Sequence, residues 1–141
     1  MLKKFLTAVL AAGLVVTNFS VSEAENMDNE KKVPVKVVQT AGRDNLGEFA
    51  PEFARYNDDI LFGEVWSRDN ILSRHDRSIV TISALIGGGV LTSALKSHIA
   101  MAKNHGVTKA EMAEIITQLG FYAGWPKAWA AFGMAKEIYA D

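Results

Sequence analysis

The sequence has no cysteine, and this absence excludes several kinds of chemistry. Without cysteine the chain has no disulfides, iron–sulfur clusters, cysteine-ligated zinc, thiolate catalysis or lipoprotein anchor. A chain of 141 residues, 49% hydrophobic and 22% charged, has the composition of one globular domain. Such a domain must be held together by its hydrophobic core alone.

The chain also lacks a large excess of charge of either sign. It has 15 basic and 16 acidic residues, and removing residues 1–24 leaves 13 basic and 15 acidic, a net charge of −2. Nucleic acids and anionic membrane surfaces attract proteins through clustered positive charge. We therefore expect neither as a partner.

No apolar run is long enough to span a bilayer comfortably. Lys3 and Lys4 precede an apolar run over residues 5–16, which is shorter than the roughly 20 residues of a membrane-spanning helix. Small residues follow at Ser22 and Ala24, so residues 1–24 are predicted to be a signal peptide cleaved after Ala24. An uncleaved anchor is the alternative. The mature protein is expected to be exported, periplasmic or secreted, with no membrane attachment.

Residues 25–43 are predicted to be a flexible leader, or an arm that packs on a neighbour. They are polar, and the strand-like patch "VPVKVV" is too short to be stable alone. From residue 44 to 141 the pattern predicts an all-α domain of about five to six helices. The segment "PEFARYNDDILFGEVW" has Phe53, Tyr56, Ile60 and Val65 near helical spacing.

Capping residues divide the rest of the domain into helices. Ser73 with Asp76, and Thr108 with Glu111, have the spacing of capping boxes, and glycines 87–89 and Gly106 end helices. Trp125 and Pro126 begin the last helix. The helix that ends at the three glycines is apolar almost all round, which predicts burial within the chain or between subunits.

His98 is the first candidate functional residue. At helical spacing it shares a face with Leu91, Leu95 and Ala102, so it is either a hydrogen-bonded core residue or a proton carrier. His105 lies seven residues further on, about 10 Å along the helix axis, too far to share a metal ion. We interpret His105 as a C-terminal residue that interacts with the helix dipole.

Glu64 and Trp66, in "LFGEVWSR", are the next candidates. Glu64 is either a solvated carboxylate or partner of Arg68, or a group that exchanges protons with His98 in an apolar cleft. Trp66 is either a wall of that cleft or part of the core.

Three arginines, at positions 68, 74 and 77, cluster around one interhelical link. They either form surface ion pairs with Asp69 and Asp76 or hold a substrate carboxylate in two-point geometry. Arg77 is best placed for the second role.

Four blocks of sequence together resemble the carboxymuconolactone decarboxylase family. They are "EFARYNDDILFGEVWSR", "SRHDRSIVTISAL", "LKSHIAMAKNHGVTKAEMAEII" and "YAGWPKAWAAF", in the family's order and spacing, over about residues 44–139. The resemblance implies the alkylhydroperoxidase-like helical fold and a homo-oligomer, a trimer or a hexamer built as a trimer of dimers.

The resemblance also assigns His98 the place of the proton-relay histidine in the peroxidase branch of the superfamily. The two cysteines of that branch fall at Leu91 and Ala94, and its glutamate falls at Ile79. A thiol peroxidase needs a thiolate, so an antioxidant role is disfavoured. Retention of the histidine without the cysteines is the pattern of the decarboxylase branch.

The sequence therefore predicts a lyase or isomerase without a cofactor or metal, acting on a small carboxylated lactone or cyclic acid. Arg77 or Arg68 would anchor the carboxylate, Trp66 would exclude water, and His98 would deliver a proton with help from Glu64. Tyr122 would donate to the developing oxyanion, or would simply be core. The rival prediction is an exported binding or scaffolding oligomer without turnover.

Overall fold

The computed structural model of the protein describes residues 35–140, and this part of the chain contains six helices and no strand. Residues 1–24, predicted to be a signal peptide, lie outside the described residues, as does most of the predicted leader. The helices are α1 (Ala41–Leu46), α2 (Pro51–Arg55, continued as a π-helix over Tyr56–Val65), α3 (Arg74–Gly87), α4 (Ser93–Asn104), α5 (Lys109–Ala123) and α6 (Trp125–Ile138). The prediction of an all-α domain with about five to six helices is confirmed.

Both predicted N-caps form, and the one at Thr108 is a complete capping box. Ser73 Oγ accepts a hydrogen bond from the backbone N–H of Asp76 at the start of α3. At the start of α5, the Thr108 hydroxyl and the Glu111 carboxylate complete a reciprocal capping box. Gly106 has φ of +89°, a left-handed conformation that favours glycine, and it turns the chain between α4 and α5.

The core lies between α3, α4, α5 and α6. Its members are buried side chains from the inward faces of these helices, together with Val107 and Tyr139 beside helix ends: Ile82, Ile86, Leu95, Ile99, Ala102, Val107, Met112, Ile116, Ala128, Ala131, Ala135 and Tyr139. The hydroxyl of Tyr139 donates to the carbonyl of Val107 at 2.7 Å, which satisfies its polar end inside the core. No helix of residues 35–140 is both long and apolar enough to cross a membrane.

The helix predicted to be apolar all round is only partly covered in the single chain. Ile82 and Ile86 of α3 are fully buried, whereas Val80 is 59% exposed on the opposite face. Burial within the chain therefore accounts for one side of α3, and the other side is open.

The buried face of α2 is not the one that α-helical spacing of Phe53, Tyr56, Ile60 and Val65 predicted. Phe53 and Tyr56 are exposed, and the buried side chains are Ala54, Asp58, Phe62 and Trp66, each four residues after the last. A π-helix turns less per residue than an α-helix, since its hydrogen bonds join residues five apart. The wider turn therefore brings every fourth residue onto one face.

Asp58 ties the segment before α2 to the rest of the chain. Its buried carboxylate accepts hydrogen bonds from the backbone N–H groups of Gly42 and Arg43, at 2.8 and 2.9 Å, and from the Asn57 amide. Burial raises the pKa of Asp58, but these hydrogen bonds and the nearby Arg43 charge outweigh it, so the pKa lies below the ordinary value. The end of the predicted leader is thus held by its own chain.

Candidate active site

His98 lies midway along α4, on the side that faces the core. Its ring is partly buried, and its Nδ1 atom is enclosed without a hydrogen-bond partner. Burial lowers the pKa of His98 below its ordinary value, so the ring is neutral at neutral pH. A neutral imidazole can accept a proton at its unprotonated nitrogen and pass it on, which suits it to acid–base chemistry.

Arg77 lies one turn inside α3 and is partly buried. Its Nη2 group donates to the backbone carbonyl of Arg68 at 3.1 Å, while its Nε atom is buried without a partner. Arg74, on the preceding turn, donates from Nη2 to the carbonyl of Val35 and also has an unpartnered, buried Nε.

The acidic residues near these arginines are used elsewhere. Asp69 accepts from the backbone N–H of Arg74, and Asp76 pairs with His75 at 2.8 Å. Among residues 35–140, no carboxylate side chain forms an ion pair with Arg68, Arg74 or Arg77. The ion pairs with Asp69 and Asp76 that the sequence left open are thus not formed among the described residues, and the role of the arginines stays a prediction.

Trp66 is buried at the end of the π-helix, with 5% of its surface exposed. Its ring stacks on Phe62 and lies against the ring of His105, with centroids 5.7 Å apart in both cases. The Nδ1 atom of His105 is 2.9 Å from the Oγ atom of the buried Ser78. His105 is thus the C-cap of α4, as the sequence indicated, but its ring also makes specific tertiary contacts.

Glu64 and Tyr122 are both exposed, and the single chain does not place either beside His98 through a hydrogen bond. Glu64 borders a groove of about 310 Å³ with residues 36–40 and the Arg43–Asp58–Asp59 cluster. Tyr122 is 85% exposed at the end of α5. Their predicted roles stay predictions.

An apolar cavity of about 380 Å³ lies on the outer surface of α5 and α6. It is lined by Thr117, Trp125, Ala128, Trp129 and Phe132. Trp125 packs over Gly120, where a Cβ atom would lie 2.6 Å from its ring, so only glycine allows this close approach. The aromatic end of "GFYAGW" therefore forms an apolar surface, with Phe121 and Trp125 in edge-to-face contact.

Sequence reasoning missed two features of this region. Ser78 and His105 lie 27 residues apart, and nothing in their local patterns predicts their contact. The other is His75, whose ring nitrogens lie 2.8 Å from Asp76 and 3.4 Å from Glu111.

Comparison with known proteins assigns the family. Residues 51–137 match the model of the carboxymuconolactone decarboxylase family. The chain is 41% identical over 98 residues to a 4-carboxymuconolactone decarboxylase of Acinetobacter baylyi, covering 70% of this chain and 72% of that protein. It is 30% identical over 84 residues to an uncharacterized 15.0 kDa protein of Paracoccus denitrificans, covering 59% and 62%. The chain belongs to the carboxymuconolactone decarboxylase family.

Proposed function

We propose that the protein is a cofactor-free decarboxylase-type lyase or isomerase acting on a small carboxylated lactone. The observation that carries the proposal is the partly buried His98 ring, with an enclosed Nδ1 atom, in a chain similar to a 4-carboxymuconolactone decarboxylase. The absence of cysteine also favours a lyase or isomerase over a thiol peroxidase, because a thiol peroxidase requires a thiolate.

The proposed reaction has two steps. The bond between the ring carbon and the carboxylate breaks, carbon dioxide leaves, and the electron pair moves through the ring into the lactone carbonyl as a dienolate. A proton is then transferred to carbon, and the electron pair of the enolate forms the new C–H bond. The site must bind a carboxylate, exclude water and supply that proton.

Arg77 is the proposed carboxylate anchor. Its guanidinium group is partly buried, has no carboxylate partner among residues 35–140 and keeps donors available for a bidentate contact. Arg68 is the second candidate, although it is exposed and contributes its carbonyl to Arg77.

His98 is the proposed proton donor. Its pKa is lowered by burial, so in the free protein the ring is neutral. An anionic substrate brought next to the ring favours the protonated form, because an opposite charge within a few ångströms raises the pKa of a histidine. The proton would thus be taken up with the substrate and passed to carbon after carbon dioxide leaves.

A homo-oligomer, a trimer or hexamer, is part of the proposal. Phe121, Tyr122, Trp125 and Trp129 are large apolar side chains that are more than half exposed on α5 and α6, and exposed apolar surface is typical of protein–protein contact sites. A second chain over this surface would exclude water from aromatic groups. Glu64 and Tyr122 are exposed in the single chain, so their proposed roles require a second chain to shield them from water.

We also propose that the protein works outside the cytoplasm after cleavage following Ala24. The supporting evidence is the run of apolar residues between Lys4 and the small residues at 22 and 24. Mass spectrometry of the protein purified from cells tests this, since an N-terminus other than Glu25 would contradict the cleavage site.

Replacement of His98 tests the enzyme against its rival. We expect His98→Gln to reduce release of carbon dioxide from a panel of carboxylated lactones by about 100-fold or more, the range of general acid catalysis. The matched control is His75→Asn, a substitution of a partly exposed histidine that has no proposed role in the reaction, which should leave turnover unchanged. If the wild-type chain turns over no member of the panel yet binds one, a non-catalytic binding protein is the better description.

A further inference from the structure

His105 lies where three elements with proposed functional groups meet. It is the C-cap of α4, which contains His98, and its ring is in contact with Trp66 at the end of the π-helix that also contains Glu64. Through Nδ1 it contacts Ser78 of α3, the residue after Arg77. The proposed mechanism assigns no role to His105 or to its contacts with Trp66 and Ser78.

The hydrogen bonds of Ser78 determine which nitrogen of His105 carries the proton. The Ser78 hydroxyl is 1% exposed and donates to the backbone carbonyl of Arg74 at 2.8 Å. A hydroxyl has only one proton, so the lone pairs of Oγ face the Nδ1 atom of His105 at 2.9 Å. Both short contacts of Ser78 are hydrogen bonds only if Nδ1 of His105 carries the hydrogen and Nε2 does not.

The surroundings keep the ring neutral, which is the condition for a single tautomer. Burial and the positive charge of Arg74 lower the pKa of His105, and the negative charge of Asp69 partly offsets them. The neutral ring is also the form that packs on the apolar Trp66 without desolvating a charge.

We propose that His105, held as its Nδ1–H tautomer by Ser78, is a positioning residue of the site. By contacting Trp66 and Ser78 at once, it fixes the π-helix, α3 and α4 relative to one another. The consequence for catalysis rests on the proposed function, because His105 acts through Trp66, Arg77 and His98 and does not itself contact the substrate.

The tautomer is tested first, by nitrogen-15 NMR of the three histidine rings in the full chain at alkaline pH. The signal of His105 is identified by its loss in His105→Asn. We expect the Nδ1–H form in the wild type and a change to the Nε2–H form in Ser78→Ala, which removes the acceptor. An Nε2–H ring in the wild type would mean that Ser78 donates to His105, and it would overturn the proposal.

The positioning role is tested with two replacements of His105 and one control. His105→Leu removes the hydrogen bond, whereas His105→Asn keeps an N–H donor close to the position of Nδ1. We expect His105→Leu to shift the NMR signals of the Trp66 indole and the His98 ring, and His105→Asn to restore them at least in part. His75→Asn, on the exposed side of α3, should leave both signals in place.

Activity gives a third readout that separates this proposal from the proposed function. In a wild type that turns over a lactone, we expect His105→Leu to lower kcat by about 10- to 100-fold with a smaller change in KM, because misplaced groups affect mainly the transition state. If the wild type is inactive, the proposed function fails, while the tautomer and the shifted signals still decide the positioning role. Unshifted Trp66 and His98 signals in folded His105→Leu would overturn it.

Discussion

At the scale of single residues, the candidate site is distinguished by polar atoms that are buried without partners. The Nδ1 atom of His98 and the Nε atoms of Arg74 and Arg77 are enclosed and make no hydrogen bond. Folded proteins leave few such atoms, because each costs free energy on leaving water. Two of these atoms lie in the first turns of α3 and one lies midway along α4, and each could bind a polar or anionic partner.

Replacement of Arg77 tests which arginine binds the substrate carboxylate. Arg77→Lys keeps the positive charge but loses the planar fork that makes a bidentate contact. We expect KM for a carboxylated lactone to rise about tenfold or more, as loss of a charge-assisted hydrogen bond predicts, with a smaller change in kcat. Arg68→Lys is the matched control. A larger rise in KM for Arg68→Lys would transfer the role to Arg68.

At the scale of secondary-structure elements, helix ends explain where the chain turns. The capping box of α5 joins Thr108 and Glu111 through hydrogen bonds of 2.8 and 3.2 Å to each other's backbone N–H groups. The sequence predicted this cap because its two residues are three apart and their reciprocal hydrogen bonds are local. It did not predict the π-helix over Tyr56–Val65, because periodicity was read with the α-helical repeat and a π-helix has more residues per turn.

Removal of the α5 cap should destabilise the protein. We expect Thr108→Ala to lower the free energy of unfolding by about 1 kcal/mol, the usual cost of losing an N-cap threonine. Thr117→Ala is the control, because Thr117 lies within α5 and its hydroxyl only donates to the carbonyl of Ala113. Chemical denaturation should find the control close to the wild type, since alanine favours helix. Equal losses in the two variants would contradict the prediction.

A histidine links the first turns of α3 and α5, and this link should respond to pH. Hydrogen bonds that the His75 ring donates to Asp76, and then to Glu111, raise the pKa of His75, although partial burial opposes them. A raised folded-state pKa means that the link stabilises the fold fully below the unfolded pKa of about 6.5 and is lost as the pH rises through the folded value.

The measurement is the melting temperature of His75→Asn and the wild type across pH. We expect the variant to melt about 1–4 °C lower in mildly acidic solution, as is typical of exposed pairs in a domain of this size, with the difference vanishing at alkaline pH. If the difference in melting temperature grew as the pH rises, the prediction that folding raises the pKa of His75 would be contradicted.

At the scale of the whole molecule, apolar residues lie on both sides of the helices. The core is closed between α3 and α6, yet Trp125 and Trp129 line an open apolar cavity on the outer side of α6. Val80 is likewise exposed on α3. These surfaces would be buried by association of identical chains, which is the expectation that the family resemblance gave.

A charge placed on the α6 surface should prevent this association. We expect Trp129→Glu to lower the mass of the particle measured by light scattering after size-exclusion chromatography, because a carboxylate is costly to bury at an apolar interface. Gln118→Glu introduces the same charge at an exposed polar position of α5 and should keep the wild-type mass. An unchanged mass for Trp129→Glu would exclude this surface from the interface.

The sequence by itself determined the features that depend on neighbouring residues. The helix starts at Ser73 and Thr108, the turn at Gly106 and the apolar faces of α3 to α6 all follow from contacts within a few positions. The family resemblance likewise pointed to His98, because a residue can be matched to a family position by its place within a block of sequence. The family that the sequence predicted is the one that the comparisons give.

Only the tertiary structure decided which distant groups meet. The contact of His105 with Ser78 and Trp66, the capture of the α1 backbone by Asp58 and the absence of acidic partners for Arg77 among residues 35–140 depend on packing between elements. Helical periodicity fixes the face on which a side chain lies, but it leaves open which other helix covers that face. That choice is made by the shape and burial of the whole chain.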